Sequence, residues 1–344
     1  LDKRSGRRVK GARTTVRKKT VGSLLEKAYL AKKAEGLAEG TLNRYKHSHN
    51  LLLQFLDLKK VGRDLDDLTV DICREFVNWL LEERTSFDGH PFKPESSKVK
   101  GVSPRYANDL LKALRTSFRV LVNDEIIDYN PFESVKNIKY PEKLIDVLTI
   151  DELKALLSAP KQRDYASFRD YVVMHVLIDT MARTGEIVSL RKSDINLQSK
   201  EIILRPEVVK TRVGRIIPIQ DRTVRLLREL LAEVSDFESE YVFLANYGEP
   251  LTTNHFRLRL KKHAKAAGIK KNIYPHLLRH SAATIYLEGG GNLRYLQALL
   301  GHTDQRMTSR YTHLSRSSIA ENHDKFSAIN QVVGKLNKNR KIKR

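Results

Sequence analysis

The sequence predicts a mainly α-helical chain of two domains, the second carrying one small antiparallel β-sheet. Three observations carry that expectation. Apolar residues recur at three- and four-residue spacing through most of the chain, the period of an amphipathic helix. Only one region breaks into short β-branched runs parted by turn residues, at 201–204, 208–210 and 215–219, with Gly214 in a turn. A stretch with two prolines and no period, from Asp128 to Pro141, separates the helical blocks and reads as a linker.

Composition narrows the function classes. The 344 residues leave room for two domains, and a hydrophobic content of 40% is ordinary for a globular protein. A net charge of +22 is not ordinary: it favours a polyanion, most often nucleic acid, and salt-dependent binding. The one cysteine, Cys73, permits no internal disulfide, sits in an amphipathic stretch and suits a reducing compartment. No apolar run approaches the ~18 residues of a membrane helix and no secretory signal is visible, so the expected site of action is the cytoplasm. The first residue is Leu1 rather than Met, which suggests a truncated or processed start.

In chain order, residues 1–20 hold nine Lys or Arg against one acid, with little to bury. They read as a flexible basic arm for phosphates, with a solubilising tail or localisation signal as the plain alternative. Residues 21–135 form a helical domain. Leu24, Leu25, Ala28 and Tyr29 mark one helix, and Leu42, Tyr45, His49, Leu52, Phe55 and Leu56 a longer one. Thr69 opens a third, with Ile72, Phe76, Trp79 and Leu80 on its apolar face. Ser103-Pro104 opens a fourth, presenting Tyr106, Leu110, Leu114, Phe118 and Leu121. Residues 85–102 read as a loop. Arg44, Lys46, Lys98, Lys100, Arg105, Lys112 and Arg115 are candidate phosphate contacts, a solvated face being the alternative for each.

After a linker at 136–148, the capping box Thr149-Ile-Asp-Glu152 starts the second domain, 149–316. Helices are expected at 149–158, 167–181, 224–234, 253–267, 277–288, 293–300 and through 308–310. The tail, 317–344, has a helical pattern and a basic end.

The chemistry concentrates late in the chain. In His276-Leu-Leu-Arg279-His280 three polar side chains share one helical turn. Gly301-His302 comes next and then, nine residues beyond His302, Tyr311. An arginine fork grips a phosphate through two parallel hydrogen bonds, histidine moves protons near neutral pH, and tyrosine can form a covalent intermediate. Together these groups suit a phosphodiester. His276 and His280 also have the spacing of a helical zinc site, but Leu-Leu-Arg lies between them and Arg279 would repel a cation. No metal or other cofactor is expected.

The ordered set His276-x-x-Arg279-His280, Leu300-Gly301-His302 and Tyr311-Thr312-His313 resembles the tyrosine recombinases, or phage-integrase family. Thr180-Met-Ala-Arg183-Thr-Gly-Glu186-Ile187 fits the family's first-arginine segment, with Met181 where glycine is usual. The resemblance implies a fold: an N-terminal helical core-binding domain and a C-terminal catalytic domain, clamped around DNA. It also implies roles. Tyr311 would be the nucleophile, Arg183 and Arg279 the phosphate clamp, and His276 and His302 further phosphate contacts. Lys210, at the β-hairpin, would donate a proton to the leaving 5′ oxygen. Arg212 and Arg215 would meet DNA on the same hairpin, with Arg212 close enough to be confused with Lys210.

In function, the resemblance implies a site-specific recombinase, an integrase or transposase of a mobile element. It would act as a homo-tetramer on double-stranded DNA with paired half-sites, with accessory DNA-bending proteins as further candidate partners. Two rivals stay open: a type IB topoisomerase-like enzyme that relaxes one duplex, and a catalytically inactive DNA-binding regulator.

Overall fold

The structure is a computed structural model, and it describes residues 19–86, 92, 94–95, 98–141, 146–209 and 213–301. The basic arm up to residue 18, the expected helix at 308–310 and the tail from 317 lie outside them. The chain divides into two compact units between Lys143 and Leu144, the first entirely helical in its regular elements among the described residues.

In the first unit four helices share one core: α1 (Val21–Ala34), α2 (Glu39–Leu58), α3 (Val70–Asn78) and α4 (Pro104–Asn123). Their starts obey the local sequence. Thr20, Thr69 and Ser103 each accept a hydrogen bond from the amide three residues on, satisfying one donor the helix leaves open. α3 runs on into a π-helical turn, Trp79–Glu83. The wider turn places Trp79 and Leu80 together in the core, where the Trp79 ring packs on Phe55 and Phe76.

Three expectations are corrected here. The segment from Asp128 to Pro141 is not free linker at its start. Phe132 and Val135 are buried in the first core, and Asn108 on α4 hydrogen-bonds the Ile138 amide and carbonyl. Arg115, a candidate phosphate contact, donates to the Phe132 and Val135 carbonyls and to Asn137. Its charge holds that segment down. Tyr106, expected on the apolar face of α4, is exposed and hydrogen-bonds His47 at 2.6 Å.

The second unit contains α5 (Ile150–Ser158), α6 (Tyr165–Thr180), a short α7 (Thr184–Val188), α8 (Asp221–Glu233), α9 (Thr253–Ala266), α10 (Pro275–Glu288) and α11 (Leu293–Leu300). Both halves of the Thr149–Glu152 capping box form. The sheet has the order β1 (Ile195–Asn196), β2 (Glu201–Leu204), β3 (Arg215–Pro218), all antiparallel. Residues 208 and 209 were expected in a strand. They instead lie in a turn, with the Val208 amide on the Arg205 carbonyl and the Val209 side chain buried in the core. Burial, not β propensity, decides that pair of valines.

A buried charged cluster pins α6 to α9. Asp170 accepts from Arg169, Arg259 and His263, while Arg169, fully buried, also reaches the Leu244 carbonyl. A separate small core joins the end of α6 to α10 and α11 through Met181, Ala282, Ala283, Leu287, Leu296 and Leu300.

Two measurements test this packing. His49, buried on α2 and bonded to Ser117 at 2.7 Å, has its pKa pushed down to about 4 by burial. The folded state therefore binds fewer protons than the unfolded one between about pH 4 and 6.5. This contribution is complete above pH 6.5 and is lost as pH falls towards 4, by roughly 3 kcal/mol in all. In His49→Gln, urea midpoints measured over that window should fall less steeply than in wild type. Met181 occupies the left-handed region at φ 51°. Met181→Gly removes about 1 kcal/mol of backbone strain but empties a buried site worth roughly 2–5 kcal/mol. Urea denaturation should show a net loss of stability in spite of the relieved backbone.

Candidate active site

The site grows from the left-handed residue that ends α6. With Met181 reversing the chain, Ala182 is buried and Arg183 becomes the N-cap of α7. The first turn of α7 then returns Glu186 to Arg183. The Glu186 carboxylate accepts from the Arg183 amide at 2.9 Å and from its guanidinium at 2.9 Å.

A third group reaches the same carboxylate from the sheet. Arg215, first residue of β3, donates to Glu186 Oε2 at 2.8 Å and Oε1 at 3.4 Å. Its Nε donates to the Leu299 carbonyl at 3.1 Å. Arg279, on α10, donates from Nη2 to the next carbonyl, Leu300, at 2.8 Å. Two guanidinium groups thus satisfy successive carbonyls at the C-terminal end of α11, where the helix leaves acceptors open and its dipole favours cations. Gly301 closes that helix in the left-handed conformation, φ 62°.

The electrostatics are set by Glu186, whose side chain is 1% exposed. Burial pushes its carboxyl up. The hydrogen bonds and charge of Arg215 and Arg183 outweigh that penalty and hold it below the usual carboxylate range. Glu186 therefore stays ionised, and the Arg183 and Arg215 guanidinium groups keep a fixed direction. Arg279 is buried at 4% exposure, while His276, in the first turn of α10, is exposed.

Of the sequence candidates, Arg279 bonds the end of α11 directly, Arg183 is tied to that end through Glu186 and Arg215, and His276 shares α10 with Arg279. Lys210, Arg212, His302 and Tyr311 lie outside the described residues. Arg215, expected on the DNA, turns inward at 12% side-chain exposure, its charge engaged by Glu186. An arginine beside a hairpin turn gives no hint of this, because its partner stands 29 residues earlier on another element.

In the first unit, Arg44, Lys46, Arg105 and Lys112 are exposed on α2 and α4, and Lys46 lies 5.4 Å from the Tyr29 ring centroid. Lys98 pairs with Glu95, and Lys100 forms a backbone bridge with Thr85. An open cleft of about 750 Å³ lies beside them, lined by polar and aromatic groups including His47, Trp79, Arg84 and Tyr106. Partial burial and the nearby Arg84 charge lower the His47 pKa. His47 and Arg84 carry no signal in the sequence, because each is one polar residue among many on or beside a helix.

Comparison with known proteins decides the family. Residues 146–318 match the phage integrase family and residues 24–140 the phage integrase SAM-like domain. This chain belongs to the phage integrase family. Its members are tyrosine recombinases, enzymes that cleave and rejoin DNA, and so is this protein. The tyrosine recombinase XerD of Listeria innocua is 30% identical over 85% of this chain and 94% of its own. Among solved structures, the Tn1549 transposon integrase in complex with transposon right end DNA has a TM-score of 0.70 at 20% identity, covering 90% of this chain and 100% of that one. A lambda integrase tetramer bound to a Holliday junction gives 0.64 at 19% identity, over 86% and 80%. These two likenesses concern the fold. No helix among the described residues is long and apolar enough to cross a membrane.

Gly301 offers a direct test of the site's packing. A Cβ there would stand 2.7 Å from the Arg215 Nη1, on a backbone that disfavours any side chain. Gly301→Ala should lower stability by about 1–2 kcal/mol in urea denaturation.

Proposed function

We propose that this recombinase cuts its target with Tyr311 and holds the scissile phosphate between Arg183 and Arg279. The observation that carries the reading is that Arg279 bonds the end of α11 and Arg183 is tied to the same end through Glu186 and Arg215, and from that end the chain leads to His302 and Tyr311. Arg183 is fixed by a buried carboxylate and Arg279 by the Leu300 carbonyl, so their charges are oriented before DNA arrives.

The steps are those of phosphoryl-transfer chemistry. The Tyr311 oxygen attacks phosphorus in line, its phenolic proton passes to solvent water, and the bond to the 5′ oxygen breaks. Lys210 supplies the proton that the departing 5′ oxygen takes up. Arg183, Arg279, His276 and His302 bear the charge that grows on the non-bridging oxygens. The 3′-phosphotyrosine ester conserves the bond, so the 5′ hydroxyl of another strand reverses the step without a nucleotide or metal. Four protomers on two duplexes would complete the exchange, with Arg44, Lys46, Lys98, Lys100, Arg105, Lys112 and Arg212 on phosphates. Such work belongs on the nucleoid, in the cytoplasm.

The experiment starts from a half-site recovered by binding selection from random duplexes, then rebuilt as a nicked suicide duplex. Wild type should form a covalent protein–DNA adduct and Tyr311→Phe none. Arg183→Ala should cleave about 10²–10³-fold more slowly while still retaining the half-site. An adduct in Tyr311→Phe, or none in wild type, rejects the reading. Recombination between paired sites, against relaxation of one supercoiled duplex, separates it from topoisomerase action.

A further inference from the structure

We infer that Arg215 is a positioning residue for the cleavage step: it ties the carboxylate that holds Arg183 to the helix end that holds Arg279, and so fixes the spacing of the phosphate clamp. The inference rests on the proposed roles of Arg183, Arg279 and Tyr311.

Three observations lead to it. First, the Arg215 guanidinium is a bridge, not a single ion pair. Two nitrogens face Glu186 on α7 and the third faces the Leu299 carbonyl on α11. A planar fork can do this in a fixed geometry, whereas an ammonium on a flexible stem cannot span both partners. Second, the groups it joins are those that orient the clamp. Glu186 holds Arg183 on one side, and Leu299 precedes the Leu300 carbonyl that receives Arg279. Arg215 thereby provides a polar link between the two halves. Third, the approach is close enough that Gly301 leaves no room for a Cβ beside the guanidinium. With this fork engaged by protein partners, Arg215 acts on DNA through its neighbours.

β3 makes the arrangement possible. Leu204 pairs with Arg215 across the sheet, and the alternation Ile216 exposed, Ile217 buried fixes which way the strand faces. Arg215 enters the site from a rigid element, which suits a group that sets spacing.

The test compares wild type, Arg215→Met and Arg215→Lys on the suicide duplex, with half-site Kd and thermal melting measured alongside. Met keeps the stem and removes the charge and the bridge. Lys keeps one ion pair without the second partner. We expect single-turnover cleavage to fall roughly 10²-fold in Arg215→Met and about tenfold in Arg215→Lys, with Kd within about threefold of wild type.

A merely structural role is separated by a second substrate. A methylphosphonate at the scissile position removes the negative charge the clamp must neutralise, so the deficit of either variant should shrink to within about threefold of wild type there. If Arg215→Lys cleaves the ordinary duplex at the wild-type rate, or if the deficit is equal on both substrates, the inference is overturned. Either outcome is decisive whether or not Arg215→Met folds. A wild type that forms no Tyr311 adduct removes the functional reading and this inference with it. A wild type that cleaves beside an unimpaired Arg215→Lys removes the inference alone.

Discussion

Glu186 is the constraint around which the catalytic unit is arranged. A carboxylate almost wholly removed from water is costly unless cations and donors surround it. Here it accepts from the Arg183 amide and from two guanidinium groups, one on its own turn and one delivered by β3. Removing either arginine leaves a buried charge short of a partner. The pairs are therefore better understood as fixing geometry than as adding stability. In its proposed role, Arg183 would present an approaching phosphate with a guanidinium already oriented, because the reorganisation took place in folding.

The same logic runs to the end of α11. Its last carbonyls need donors, and Arg215 and Arg279 supply them. Helix termination thus draws on Arg279, the proposed phosphate ligand, and on Arg215, its proposed positioning residue. The small apolar core of Met181, Ala282, Ala283, Leu287, Leu296 and Leu300 holds the three contributing segments in register. Met181 links both features, since its left-handed backbone turns the chain into Arg183 while its side chain fills that core. Glycine, usual at that place in the family, could make only the turn.

The first unit is organised differently. Its core is ordinary helix packing around Phe55, Phe76, Trp79 and Phe118, and its charge is left outside on α2 and α4. Exposed Lys and Arg exchange counterions for phosphates with little structural rearrangement, which suits affinity without base readout. The His47, Arg84 and Tyr106 cleft adds hydrogen-bonding and aromatic groups to that face.

By itself the sequence determined the helical class and the helix starts at Thr69, Ser103 and Thr149. Each is written in local spacing or in capping chemistry, which act over three or four residues. It also carried the charge excess that points to DNA. Tertiary structure alone decided what each arginine does. Arg44 and Arg105 stay on the surface, Arg115 fastens the segment after α4, Arg169 disappears into the core, and Arg215 turns from the expected DNA contact to Glu186. All five read alike along the chain, because a guanidinium announces its charge but not its partner. The partner is chosen by elements distant in sequence that packing brings within about 3 Å, a length no local pattern encodes.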